Sequence, residues 1–204
     1  MKHYLNPQDT ALVIIDMQND FCHEEGASAK MGTGDIKAFQ AAVPPINALI
    51  DQAREASVPV IFVMMTLEES TISEAWSNKF PGGSIVVKDT WGTEFYKLQP
   101  QKGDYIVEKH RFSAFIGTNL DLILRSLGRK SIVLTGVLTN VCVESTARDG
   151  FMMDYNITLV SDACAGSSPA AHQNTLDMIN MVFGQTTDSA SVADYWKQAM
   201  SISQ

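Results

Sequence analysis

Cysteine and histidine are scarce in this chain. The cysteines, Cys22, Cys142 and Cys164, are spread over 204 residues. An odd, sparse set of this kind suits reduced thiols in a cytoplasmic setting better than a disulfide framework. The histidines, His3, His23, His110 and His172, stand far apart without ligand spacing, so no metal site is expected and His23 reads as a loop residue. Positive charge is also short. Fifteen Lys+Arg against 23 Asp+Glu leave a net charge of −8, a balance that repels phosphate and argues against a nucleic-acid partner. The longest basic clusters are only Lys109-His110-Arg111 and Arg129-Lys130. No apolar run reaches the roughly 18 residues needed to cross a bilayer. The first ten residues hold no apolar stretch of the secretory kind, so neither a membrane partner nor a leader is expected. Repeats, low-complexity tracts and linkers are missing too. One domain over residues 1–204 is expected, with 45% hydrophobic and 19% charged residues to build its core.

Strand-like and helix-like runs alternate along the chain. Short apolar, β-branched runs fall at 10–15, 58–63, 105–107, 131–135 and 157–160, with a last short one near 185–188. Helical spacing lies between them. Ile46, Leu49, Ile50 and Ala53 share one face in 43–57, and Leu120, Ile123, Leu124 and Leu127 share one in 119–127, with Gly128 as a stop. Helices are also expected over 142–153, over 169–182 with Pro169 in its first turn, and over 190–200. Apolar strands separated by helices predict an α/β fold with a mainly parallel sheet covered on both faces. Residues 64–100, with Trp76, Pro81-Gly82-Gly83 and Trp91, form an irregular insertion that is either a lid or a surface excursion. Gly32-Thr33-Gly34 makes a poor phosphate loop, because no strand precedes it and Lys37 stands where a third glycine should be.

Ligands of parallel sheets bind beyond the carboxyl ends of the strands. The first strand delivers Asp16 there, the third delivers Lys109, and the fourth runs through Gly136 to Cys142 at a helix start. Each has a plain explanation when taken singly: a turn residue, a solvated cation, a small buried hydrophobe. Together they make a chemically coherent set. A helix N-terminus and a nearby lysine lower a thiol's pKa, and an aspartate can accept its proton and later activate water. Backbone N–H groups around Leu138 and Cys142 offer an oxyanion hole.

The segments Asp16-Met-Gln-Asn-Asp20-Phe21, Lys109 before Phe112-Ser113-Ala114-Phe115, and Gly136-Val-Leu-Thr-Asn-Val-Cys142-Val143 resemble the signatures of the isochorismatase-like cysteine hydrolases. The resemblance covers roughly residues 10 to 190. It implies a three-layer α/β/α sandwich around a six-stranded sheet and a triad of Asp16, Lys109 and Cys142. It also implies a cis peptide between Val137 and Leu138 that turns the Leu138 N–H toward the oxyanion. Cys142 argues against vinyl-ether cleavage, since true isochorismatases lack the cysteine. The sparse histidines argue against a nicotinamidase-type metal site. The run from Thr139 to Phe151 looks most like the ureidoacrylate, biuret and N-carbamoyl amidohydrolase branch.

On the substrate side, the resemblance lets Gln185 hydrogen-bond a urea-like group and Phe21 wall the pocket. Asn19 either orients the loop after Asp16 or caps it. Glu144 and Arg148, four apart on a helix, read as a structural ion pair. The implied function is cleavage of a C–N bond in a small amide or ureido compound through a thioester, without cofactor. Hydrolysis of a plain carboxamide, or metabolite binding without catalysis, are the alternatives. A homodimer or homotetramer is implied, with Met178, Met181 and Val182 at either core or interface.

Overall fold

The computed structural model describes residues 4–81 and 85–202, so Gly82 and Gly83 of the insertion lie outside the described residues. The six strands are β1 (Thr10–Ile15), β2 (Val60–Met65), β3 (Tyr105–Lys109), β4 (Ser131–Val137), β5 (Asn156–Ala165) and β6 (Gln185–Thr187). They pair in the order β3-β2-β1-β4-β5-β6, every pair parallel. The sheet is thus wholly parallel, where a mainly parallel one is expected from the sequence. β1 and β4 are buried at every position, as central strands covered on both faces must be.

Alternate residues of β1 feed two cores. Leu12 and Ile14 face one core together with Ile46, Leu49, Ile50 and Ala53 of α4 (Val43–Glu55) and Trp196 of α9 (Ser189–Ile202). Ala11, Val13 and Ile15 face the other, with Leu120 and Leu124 of α6 (Leu120–Ser126), Ala147 of α7 (Glu144–Met152) and Leu176 of α8 (Pro169–Met178). The period of two along the strand and of 3.6 along the helices brings these faces together.

Short helices not anticipated from the sequence lie outside this frame: α1 (Asn19–Cys22), α2 (Ala27–Met31), α3 (Ile36–Ala41) and α5 (Glu74–Lys79). The insertion is anchored rather than loose over its described residues. Leu67, Val86, Tyr96 and Leu98 are buried in the first core, and Leu67 bridges Val87 while Gln18 bridges Phe95. Two helices are extended by π-helical turns, Thr139–Val143 before α7 and Ile179–Phe183 after α8. Ile179 of the second turn is buried, whereas Met181 and Val182 are exposed.

Candidate active site

The strand register sets the site. Ile15 of β1 pairs with Gly136 of β4 and with Val63 of β2, and Met65 pairs with Lys109 of β3. Asp16, Lys109 and the approach to Cys142 therefore leave the sheet at one edge. Asp16 turns there with φ 53°, a left-handed conformation that Asp accepts more readily than most residues. β4 passes β1 so closely that a Cβ on Gly136, at φ +108°, would fall 2.0 Å from the Ile15 carbonyl oxygen. Only glycine fits this approach. Beyond it the Val137–Leu138 peptide is cis, and the π-helical turn carries Cys142 into α7.

Lys109 lies on an edge strand, two strands from β1 and so roughly 10 Å away across the sheet. Its long side chain spans that gap. Lys109 Nζ sits 2.7 Å from Asp16 Oδ2, 3.5 Å from Cys142 Sγ and 3.1 Å from the Arg111 carbonyl oxygen. An ammonium has three N–H donors, and here it faces three acceptors. All three side chains are buried. The Asp16 contact is an ion pair, and the Cys142 thiol is the carboxylate's other hydrogen-bonding neighbour. A buried carboxylate left so thinly solvated holds a proton more readily. Burial raises the Asp16 pKa, while the Lys109 charge acts the other way.

The thiol departs from the sequence expectation. Burial, and then the neighbouring Asp16 carboxylate, push the Cys142 pKa well above its ordinary value, although Lys109 opposes both. This environment favours the protonated sulfur, a thiol beside a base rather than a preformed thiolate. The sequence predicts a thiol lowered by a helix N-terminus and further by Lys109; burial and the Asp16 carboxylate together outweigh that lysine. Burial alone would lower the Lys109 pKa; the Asp16 carboxylate and Cys142 more than offset it and raise it.

A model of the isochorismatase domain matches residues 10–191. The chain belongs to the isochorismatase family. It is 34% identical over 201 residues to a ureidoacrylate amidohydrolase, RutB, from Serratia proteamaculans, a match covering 89% of this chain and 80% of that one. Its structure is similar to a cysteine hydrolase from Pseudomonas syringae pv. phaseolicola (TM-score 0.87, 30% identity, 96% of each chain). It is also similar to N-carbamoylsarcosine amidase from Thermoplasma acidophilum (TM-score 0.74, 30% identity, 89% of this chain and 96% of that one).

Gln185, Phe21, Asn19 and Leu138 are the remaining expected site residues of this family member. Gln185 pairs with Thr158 on β5, which lies level with Val133 and Leu12, four residues short of Asp16. Its amide donates to Thr158 Oγ1 at 2.9 Å, so the structure does not bring it to the triad. Phe21 is buried in the core that holds α4 and α9, on the other side of the sheet from the core that contains Cys142. The Asn19 amide donates to the Trp91 carbonyl at 2.9 Å and so ties the segment after Asp16 to the insertion. Glu144 and Arg148 do pair, at 2.6 Å. Leu138 caps the π-helical turn, and its carbonyl accepts the Val141 N–H at 3.0 Å.

Sequence reasoning passed over the two residues that tie this loop most firmly. Gln18, fully buried, donates to the carbonyls of Met65 and Thr93 and accepts the Met65 N–H, each within 2.9 Å. Asp20 accepts the N–H groups of Ala27 and Val86. Their place in the Asp16-to-Phe21 segment was the signal available. Next to the site, a cleft of about 620 Å³ is lined by Trp76, Phe80, Arg111, Phe112, Ser113 and Ser145, among others. Among the described residues no group of three or more His, Cys, Asp or Glu side chains is placed to hold a metal ion.

Proposed function

We propose that this chain is a cysteine-dependent amidohydrolase that cleaves a C–N bond in a small amide or ureido compound, of the ureidoacrylate, biuret or N-carbamoyl type. Membership of a hydrolase family whose relatives include amidohydrolases supports the general reaction. One observation carries the assignment of roles: a single buried ammonium touches both a carboxylate and a sulfur. The reaction then runs on this chain's own groups. Asp16 takes the Cys142 proton as the sulfur adds to the carbonyl carbon, so charge is transferred rather than stored at a low-pKa thiol. Lys109 stays charged and balances first the carboxylate and then the thiolate. The carbonyl oxygen becomes an oxyanion held by the N–H groups of Leu138 and Cys142. Asp16 returns the proton to the nitrogen, the C–N bond breaks, and ammonia or an amine leaves a thioester. Water deprotonated by Asp16 attacks that thioester and releases the acid and the thiol.

The test is product release from biuret, ureidoacrylate, N-carbamoyl amino acids and simple carboxamides by wild type and Cys142→Ala. Turnover of at least one ureido compound is expected, with a loss of about a thousandfold or more in the variant. Equal turnover by the variant removes the nucleophile. Turnover of simple carboxamides alone replaces the ureido reading with a plain amidase.

A further inference from the structure

Thr139, Asn140 and Glu144 bracket Cys142, and one neighbouring segment holds all three. Thr139 Oγ1 lies 2.9 Å from His172 Nδ1. Asn140 Oδ1 accepts the Ser167 N–H at 2.9 Å, and Glu144 Oε2 accepts the Thr175 hydroxyl at 2.7 Å. Ser167, His172 and Thr175 belong to α8 and the loop that leads into it. The approach is close. A Cβ on Gly166 would lie 3.0 Å from Asn140 Oδ1 and 3.0 Å from the His172 backbone nitrogen, so a side chain there would crowd the contact between this loop and the cysteine turn.

Of these contacts, only the one to His172 can reverse its polarity near neutral pH. A bare Nδ1 accepts the Thr139 hydroxyl, whereas an imidazolium can only donate. Thr139 is fully buried, so its hydroxyl has little room to find another acceptor. His172 is half-buried and lines a cavity of about 280 Å³ together with Asp35 of α3 and Asp162 and Cys164 of β5. Those neighbours are engaged. Asp35 caps α3 through the Ala38 N–H, Asp162 holds the Ser189 N–H and hydroxyl, and the Cys164 thiol points to the Leu134 carbonyl. Burial sets the His172 pKa below the ordinary histidine value. At neutral pH the ring is therefore neutral and can accept.

We infer that His172 is a positioning residue for the Cys142 turn, and that protonation of its ring loosens the turn and slows chemistry at the sulfur. The inference rests on Cys142 as the reacting group, so its test reads the sulfur directly as well as through turnover. Wild type, His172→Asn and His172→Ala are alkylated with iodoacetamide from about pH 5 to about pH 8, a range that spans histidine titration. The rate is taken from the mass of the Cys142 peptide, and product release from the ureido panel is followed in parallel. Asparagine sets an amide near the Nδ1 position and does not titrate.

The alanine variant is expected to slow alkylation by about tenfold or more, as misplaced reacting groups do. The asparagine variant is expected to recover most of the neutral-pH rate and to lose one acid inflection, keeping the one that belongs to Asp16. If alanine does not fold, wild type against asparagine still decides through the inflection. Identical rates and profiles in all three proteins overturn the inference, as does an asparagine variant that keeps every inflection. The expected alkylation pattern without any ureido turnover leaves the inference standing and removes the amidohydrolase reading instead.

Discussion

Asp16 and Lys109 work as one unit, because neither charge is tolerable alone in so dry a place. Both pKa values are raised, the carboxyl by burial and the ammonium by its carboxylate and sulfur neighbours despite burial. A raised folded-state pKa means stability that is complete below the unfolded value and is lost as pH rises through the folded one. For Lys109 that loss falls above its ordinary value of 10.5; for Asp16 it falls above its ordinary value of 3.8, as the buried carboxyl ionises. The proposed reaction needs the carboxylate unprotonated, so activity should fall on acidification at a pH above the usual carboxylate range. Lys109→Met removes the charge that holds the Asp16 pKa down. Its acid limb should move to higher pH, with turnover reduced at least about a hundredfold. The pH–rate profile of the variant checks this, and an unmoved acid limb would take Asp16 out of the role of base.

Among the helices, α8 acts on the site at one remove, through its contacts to Thr139 and Glu144 on either side of Cys142. Its N-cap, Ser168, accepts the Ala171 N–H at 3.2 Å. Ser168→Ala should destabilise the protein by about 1 kcal/mol, seen as a lower urea midpoint. It should also slow Cys142 alkylation, because fraying begins next to Ser167 and His172. An effect on stability alone would separate this helix from the reacting turn. The strands were legible in the sequence because β-branched apolar runs such as Thr10–Ile15 leave few other choices. The convergence of Asp16, Lys109 and Cys142 was legible because parallel strands share one carboxyl edge. The short α1, α2, α3 and α5 were not, since four to six residues show too little of a 3.6-residue period. Nor was the place of Gln185. A strand's register against its neighbour depends on both partners, which no single run of residues records. The direction of the Cys142 shift needed the depth of burial, which also emerges only on folding.

At the scale of the whole molecule, the two ends of the chain are joined: the Trp196 indole of α9 donates to the Leu5 carbonyl at 3.0 Å. The centre is formed by β1 and β4, sealed on both faces. β3 differs from them. It is an edge strand, paired only with β2 among the described residues, and its exposed positions include Ile106 and Glu108. Yet it bears the lysine on which the aspartate and the sulfur both depend. Marginal strands open locally at a smaller free energy than the core they border. Mild urea should therefore silence turnover while the far-ultraviolet circular dichroism still reports an intact sheet, and coincident transitions would mean that β3 is held as firmly as the centre. The protein would then disarm before it comes apart, and a chain caught half-unfolded would carry a cysteine stripped of its partners rather than a stray hydrolase.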